Sequence, residues 1–289
     1  MLEVSEMNLN KMIFLSTFIF MLLVPFENVN GNHEESLFIH FIDVGQADSI
    51  LVQTLNGRTM LIDAGDNQDG KRVTAYLKKR GITRLDYLIA THPHHDHIGG
   101  MDSIIKSFTI GKLLMPEVSH DTKFYSDLIK AATQKGLHIE QAKEGKRFSL
   151  APGISVHILS PDKSKYHLLN DYSAVIKVTH HKNKFLLMAD AGFAVERQLL
   201  RKHKDIQADV LKIGHHGANT ATSSSFLKKV NPDYAVVSVG KDNPYHYPDN
   251  EVLQRVNQRR IPMYRTDQIG SIIAKSNGKA ISFTSQLKP

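Results

Sequence analysis

The feature that most constrains this chain is a cluster of histidines and aspartates directly after an apolar run. The run Tyr-Leu-Ile-Ala-Thr leads into His92-Pro-His-His-Asp-His97, which has the form His-x-His-x-Asp-His. Residues two apart on an extended segment point to the same side, so His92 and His94 can converge on one cation. Asp96 and His97 fall at the start of a predicted helix and can bind a second. The spacing predicts a two-cation centre that activates a water for hydrolysis.

A histidine-rich surface loop and a purely structural metal site are the alternatives. A structural zinc site is normally closed by four ligands, so it does not need an Asp-His pair beside two other histidines. Cysteine is absent from the 289 residues, which excludes thiolate ligands, disulfides and a cysteine nucleophile. Any metal must therefore be held by His, Asp or Glu.

The N-terminal segment resembles a secretory leader. Residues 12–24 form an uncharged apolar run between Lys11 and Pro25, too short to span a bilayer comfortably. We expect a signal peptide over residues 1–31 and a single hydrolase domain over 32–289, with an uncleaved anchor or a buried helix as alternatives. After cleavage no stable membrane span is expected, and the protein would be secreted or held at the cell surface.

The order of predicted elements indicates an α/β fold. Short strands over 37–43, 49–54 and 58–63 open the chain, with Asn56-Gly57 as a hairpin signal. Helices near 71–80, 123–135 and 193–203 and from Pro248 then alternate with strands over 87–90, 154–159, 172–179, 184–189, 209–213, 234–239, 261–265 and 270–275. Such a layout suits two packed sheets with helices outside.

Several patches resemble the metallo-β-lactamase superfamily, and more narrowly the extracellular hydrolase domain of the ComEC competence proteins. The resemblance extends from Leu37 to Ala274. Besides the histidine cluster, it rests on Asp43-Val-Gly-Gln-Ala-Asp48-Ser, Leu61-Ile-Asp63-Ala-Gly65, Leu187-Met-Ala-Asp190, His215-His216-Gly217 and Arg265-Thr-Asp267-Gln-Ile-Gly270. It implies an αββα sandwich of two mixed sheets.

The resemblance also implies a ligand set. His92 and His94 would hold one cation, Asp96, His97 and His215 the other, and Asp190 would bridge them. Asp48 and Asp63 would orient the ligand imidazoles, with a simple turn as the alternative role for Asp63. The catalytic candidates are Asp96, Asp190, His216 and His246, of which His246 would touch substrate because Tyr247 stands where the family carries histidine.

This chain departs from the family's pattern at two positions that bear on the cations. Residues 167–173 offer no obvious further ligand for the first cation, so water or Asn170 would fill the gap, and His167 is interpreted as a surface residue. Many ComEC domains have aspartate where this chain has His94. The histidine pair favours Zn²⁺, with Mn²⁺ as the alternative.

The expected function is an exported phosphodiesterase or nuclease that attacks DNA or another nucleic acid with a metal-bound hydroxide. The formal charge of +7 becomes +9 when residues 1–31 remove one lysine and three glutamates, and it should attract a polyanionic phosphodiester. Alternatives are a phosphodiesterase acting on wall polymer, like the phosphorylcholine esterases, and a polyanion-binding module with a structural metal site. Tyr125, Tyr166 and Tyr245 are interpreted as isolated, and the oligomeric state is left open.

Overall fold

The computed structural model describes residues 36–163, 165–203 and 205–286. The predicted signal peptide and the domain boundary at residue 32 lie outside these residues. Within them, no helix is both long and apolar enough to cross a bilayer.

Fifteen strands are present in the described part of the chain. They are β1 Leu37–Phe41, β2 Ile50–Thr54, β3 Thr59–Ile62, β4 Arg84–Ile89, β5 Thr109–Met115, β6 Ile139–Gln141, β7 Arg147–Ala151, β8 Ile154–Ile158, β9 Ile176–His180, β10 Asn183–Leu187, β11 Val210–Lys212, β12 Tyr234–Val237, β13 Met263–Arg265, β14 Ser271–Ser276 and β15 Ile281–Gln286.

Eight α-helices alternate with these strands over the same ranges. They are α1 Gly70–Lys79, α2 His95–Ile98, α3 Met101–Ser107, α4 Lys123–Gln134, α5 Phe193–Lys202, α6 Ser224–Val230, α7 Asn250–Gln258 and α8 Thr266–Ile269. Short 3-10 turns cover Asn67–Asp69, Leu169–Tyr172 and Gly214–Gly217.

The strands form two mixed sheets. The first has the order β15-β14-β1-β2-β3-β4-β5-β6 and the second the order β13-β12-β11-β10-β9-β8-β7. In the first sheet β3 to β6 run parallel, and in the second β10 to β13 do so. The remaining neighbours pair antiparallel. In both sheets, therefore, a parallel half brings several strand ends to one edge.

Three apolar layers hold the sandwich together. Phe41, Val178 and Phe185 belong to the layer between the sheets. A second layer packs α1, α3 and α4 on the outer face of the first sheet, and a third packs α5, α6 and α7 on the second. Each fully buried large apolar side chain contributes about 1.5–3 kcal/mol to this packing. The expected αββα sandwich is confirmed.

The polar sequence His180-His181-Lys182-Asn183-Lys184 predicts a solvated hairpin tip, and the structure corrects this prediction at one residue. His181 is exposed, but His180 is fully buried. Its Nδ1 lies 2.8 Å from Ser276 Oγ at the end of β14. The β9–β10 hairpin therefore packs against the first sheet instead of projecting into solvent.

Candidate metal centre

Three strand ends bring the histidines and aspartates together. His92 follows β4 by three residues, and Asp190 follows β10 by three. His94 keeps an extended backbone (φ −84°, ψ 151°) immediately before α2, which carries Asp96 and His97. The two parallel strands β10 and β11 end side by side, so the 3-10 turn after β11 places His216 next to Asp190. The first sheet supplies one half of the cluster and the second sheet the other.

The first ligand group consists of His92, His94 and Asp190. Their potential ligand atoms lie within 4.8 Å of one another. His92 Nε2 is 3.0 Å from His94 Nδ1 and 3.8 Å from Asp190 Oδ2. Such spacings leave room for one cation between the three side chains.

The second group consists of Asp96, His97, Asp190 and His216, whose ligand atoms also lie within 4.8 Å of one another. His97 Nε2 is 3.3 Å from Asp190 Oδ1, and His216 Nε2 is 3.2 Å from Asp96 Oδ2. Asp190 turns Oδ2 to the first group and Oδ1 to the second. Its carboxylate therefore belongs to both groups.

The structure differs from the expected ligand set at the adjacent pair His215 and His216. Both have left-handed backbone angles (φ 49° and 51°). His216 turns into the second group and is almost fully buried, whereas the His215 side chain is 28% exposed and its Nε2 lies 3.8 Å from Asp190 Oδ2. His215 Nε2 contacts Asn170 Nδ2 at 3.2 Å. The second group as the structure presents it therefore contains His216 and not His215, and a ligand role for His215 stays a prediction.

The buried ligand histidines are oriented by hydrogen bonds at Nδ1. His97 Nδ1 lies 2.8 Å from Asp63 Oδ2 and His92 Nδ1 lies 3.1 Å from Thr91 Oγ1. The Thr91 hydroxyl in turn donates to Asp63 Oδ2 at 2.7 Å. We assign a proton to both Nδ1 atoms on this network, which leaves each Nε2 lone pair directed at the centre. Asp63 thus orients two histidines, as a carboxylate beside a metal site commonly does.

Asp48 and His216 have different partners from those expected. His216 Nδ1 donates to the carbonyl oxygen of Ser238 at 2.9 Å. Asp48 Oδ1 is 3.8 Å from His216 Nδ1, too far for a hydrogen bond, and Asp48 Oδ2 instead pairs with the buried Lys212 ammonium. Asp48 supports the centre through this ion pair and through its backbone N–H, which donates to the carbonyl oxygen of Asp96 at 3.0 Å.

Burial and charge at the centre fit a divalent cation. His97 Nε2 and Asp190 Oδ1 are buried without a hydrogen-bond partner, a costly arrangement unless something else binds them. Burial opposes ionisation of Asp190, but the neighbouring His97 and His216 hold its pKa well below the usual range. Burial lowers the pKa of His92. Burial acts in the same direction on His97 and His216, but the neighbouring carboxylates, Asp190 first, raise the pKa of both rings. A cation bound there would take the place of the proton on these two histidines. A neutral imidazole and an ionised carboxylate are the forms that bind metals.

A cleft of about 310 Å³ opens onto this centre. Its wall includes Gln46, His94, His95, Asp96, Asn170, Asp190, His215, His216, Tyr245 and Tyr247. His246 is exposed and is not among the lining residues, so its contact with a substrate stays a prediction. His167 is exposed, as expected.

The structure brings together two tyrosines that the sequence interpretation missed. Tyr245 was taken as isolated, but its ring stacks on Tyr247 with centroids 5.4 Å apart and planes at 21°. The tyrosines are two residues apart in Asn243-Pro-Tyr-His-Tyr-Pro248. That spacing is the sequence feature from which a contact between the two rings could have been predicted.

An αββα sandwich with paired His/Asp groups at a sheet edge is an arrangement that fits a metal-binding protein. The model of the metallo-β-lactamase superfamily matches residues 42–241, and the chain belongs to that superfamily. Its members are in general metal-dependent hydrolases.

Two curated relatives are similar to this chain in sequence, and one solved structure is similar to it in fold. The chain is 30% identical to ComE operon protein 3 of Bacillus subtilis over 263 residues (85% of this chain, 34% of the relative). It is 31% identical to Recombination protein 2 of Haemophilus influenzae over 239 residues (80% and 28%), so it spans about a third of these relatives. The metallo-β-lactamase fold protein YhfI of Bacillus subtilis aligns with a TM-score of 0.56 at 12% identity, covering 84% of this chain and 100% of YhfI, and shows the fold alone.

Proposed function

We propose that this protein is an exported two-cation phosphodiesterase that cleaves DNA or another nucleic acid. The observation that carries the proposal is the position of Asp190, whose two carboxylate oxygens face two separate groups of ligands. Two adjacent cations are the usual apparatus for displacement at phosphorus, because they stabilise both the attacking and the leaving oxygen.

The proposed ligands follow from the contacts described above. His92, His94 and Asp190 hold the first cation, and Asp96, His97, His216 and Asp190 hold the second. The Oδ1 atom of Asn170 is buried without a hydrogen-bond partner and lines the cleft, which makes it the candidate for the open position of the first cation. Four imidazoles favour Zn²⁺, and the two carboxylates also suit Mn²⁺.

Bound cations would supply a water of lowered pKa and positive charge to offset the charge that develops on the phosphate. The protein fixes the geometry in which this happens. The Asp63 carboxylate keeps the proton of His97 on Nδ1. Through the hydroxyl of Thr91 it also keeps the proton of His92 on Nδ1. Both histidines of the pair line the cleft, but His215 is the one with a partly exposed side chain, so we assign it, and not His246, to contact with the substrate.

Charge and relatives support nucleic acid as the substrate. The chain carries a formal charge of +7, and a cationic protein attracts a phosphodiester polymer in a salt-dependent way. It is also related to a recombination protein and to a ComE operon protein. The proposal of export depends on the leader expected over residues 1–31.

The test is cleavage of single- and double-stranded DNA with Zn²⁺ or Mn²⁺, followed on gels. We expect cleavage by the wild-type protein and none after chelation or in a His92→Ala/Asp96→Ala variant. His181→Ala is the matched control, because this exposed histidine lies at the β9–β10 tip, at the end of β10 opposite Asp190.

Three outcomes would contradict the proposal in different ways. Intact nucleic acid under every metal would exclude a nuclease. If a small chromogenic phosphodiester were still hydrolysed, a wall-polymer phosphodiesterase would take its place. If chelated protein kept its affinity for DNA and no diester were cleaved, the protein would be a polyanion-binding module.

A further inference from the structure

A stacked pair of tyrosines stands at the mouth of the cleft. The Tyr245 side chain is 57% exposed. Among the described residues, it is the large aromatic side chain that is exposed. Its ring lies nearly parallel to that of Tyr247, with centroids 5.4 Å apart. Tyr247 therefore packs against one side of Tyr245 in an offset stack, and more than half of the Tyr245 side chain stays accessible to a ligand.

The pair continues inward to the metal centre. The ring of Tyr247 meets that of His215 edge to face, with centroids 6.1 Å apart and planes at 67°. His215 in turn lies within 3.8 Å of Asp190 Oδ2. Three rings thus lead from the candidate ligands to the surface along one wall of the same cleft.

The loop that carries the tyrosines is held in a fixed shape. Asn243 is buried, and its Nδ2 donates to the carbonyl oxygens of Gly240 (2.9 Å) and Tyr247 (2.8 Å). Its Oδ1 accepts from the backbone N–H of Tyr247 at 3.0 Å. A platform that is already ordered loses little conformational freedom when a ligand binds to it.

The same loop is joined to the turn that carries His215 and His216. The backbone N–H of Asp249 donates to the carbonyl oxygen of Gly217 at 2.9 Å. A Cβ on Gly217 would lie 2.4 Å from Pro248 Cβ, and this glycine has φ +84°, so only glycine permits so close an approach. The distance between the tyrosines and the centre is therefore fixed by packing.

We propose that the exposed ring of Tyr245 stacks a nucleobase of a single-stranded substrate, one of whose phosphates lies at the metal centre. The inference rests on the proposed phosphodiesterase function and adds a strand preference to it. Stacking of a base on an aromatic ring tolerates any sequence, because every base has a flat face. Bases inside a duplex are already stacked on one another, so the platform selects single strands and frayed ends.

The geometry favours a flat ring over a quaternary ammonium group. Cages for such cations surround the ligand with several aromatic faces. Here the two tyrosines are in mutual contact and nearly parallel, so they present one open face and enclose no space between them. A choline group on a wall polymer would contact only a single ring here, whereas a flat base could stack on that ring.

The experiment compares two oligonucleotides of equal length and charge, one of thymidines and one of abasic sites. Cleavage kinetics are measured with the metal-loaded protein, and affinity is measured by fluorescence anisotropy with the labelled oligomers. The variants are Tyr245→Ala, Tyr245→Phe and, as an exposed apolar control, Leu55→Ala. Leu55 is 66% exposed in the β2–β3 hairpin, at the end of β2 away from the centre.

We expect Tyr245→Ala to weaken binding of the thymidine oligomer and raise its KM by roughly 5- to 150-fold, the loss associated with one base stack. Binding and cleavage of the abasic oligomer should stay at the wild-type level. Tyr245→Phe should keep most of the wild-type preference because it retains the ring, and Leu55→Ala should match the wild type with both oligomers.

Other results would overturn the inference. An equal loss with both oligomers would show that Tyr245 only maintains the structure, and no loss with either would show that the platform is unused. Tight binding of phosphocholine that depends on Tyr245, without any preference for bases, would assign the platform to a cationic head group. If the wild type cleaved neither oligomer, the phosphodiesterase proposal would fail, while the anisotropy comparison would still decide whether Tyr245 binds bases.

Discussion

The substitution Lys212→Met should destabilise the folded protein strongly, because it leaves a carboxylate without its partner in the interior. The Lys212 side chain is completely buried at the end of β11, and that of Asp48 is 1% exposed. Their ion pair is the direct side-chain contact between the loop after β1 and the strand that leads to His216. Met has nearly the shape of the lysine stem, so the substitution removes the charge with little change in packing.

The magnitude follows from the burial of both groups. Removing one partner of a buried ion pair lowers the free energy of unfolding by about 3–5 kcal/mol, because the other charge stays buried without compensation. At about 2–4 °C per kcal/mol for a domain of this size, the melting temperature should fall by roughly 6–20 °C. Thermal unfolding by circular dichroism, at saturating metal for every variant, measures the change.

The double variant Lys212→Met/Asp48→Asn separates loss of the pair from a general packing defect. It leaves no unpaired charge, so it should be less destabilised than the sum of the two single variants by about 0.5–3 kcal/mol. A Lys212→Met protein that melts within about 2 °C of the wild type, or strictly additive single variants, would refute the reasoning.

Three further predictions concern the centre and the core. Asp63→Asn should weaken metal binding about 10- to 100-fold in competition with a fluorescent chelator, because Asp63 orients His97; unchanged affinity would contradict this role. Removal of metal should lower the melting temperature, since each site occupied at 100 times its Kd stabilises the folded state by about 2.7 kcal/mol; an unchanged value would mean that the folded protein binds none. Burial, with Arg80 nearby, lowers the pKa of His40 to about 3. Below about pH 6.5 the unfolded chain therefore binds a proton that the folded protein does not, and stability should fall toward pH 3 by up to about 1.4 kcal/mol per unit from this group. His40→Gln should reduce that slope by an amount that approaches one proton as the pH falls from 7 to 5 in urea unfolding, and an unaltered slope would rule out the assignment.

Spacing predicted the part of the centre that is local in sequence. His92, His94, Asp96 and His97 converge because an extended segment runs straight into a helix, and both geometries can be inferred from a few residues. Asp190 was placed by resemblance at the end of an apolar strand, and the parallel pairing of β10 with β11 brings it to the same edge.

The choice between His215 and His216 could not be predicted from the sequence. The two residues are adjacent, and left-handed backbone angles at both positions decide which imidazole turns inward. Such angles are uncommon for residues with a side chain. Surrounding contacts, including the bond from His216 Nδ1 to Ser238, accompany this conformation.

Tertiary contacts also explain two other differences between prediction and structure. The polar residues that follow His180 predict that it is exposed. In the structure the end of β14 covers it. The strand β5 was not predicted because Gly111 and Lys112 interrupt its apolar pattern. A Cβ at Gly111 would lie 2.6 Å from the carbonyl oxygen of Asp86, so glycine is required there by the neighbouring strand β4, a constraint that the local sequence does not reveal.

The most direct test of the account is the rate of oligonucleotide cleavage as a function of the number of cations bound per chain. Metal-free protein is titrated with Zn²⁺ or Mn²⁺, and bound metal and initial rate are measured on the same samples. The account predicts two cations per chain and a rate that rises with the second. Full activity without metal, or two bound cations and no cleavage of any phosphodiester, would contradict it.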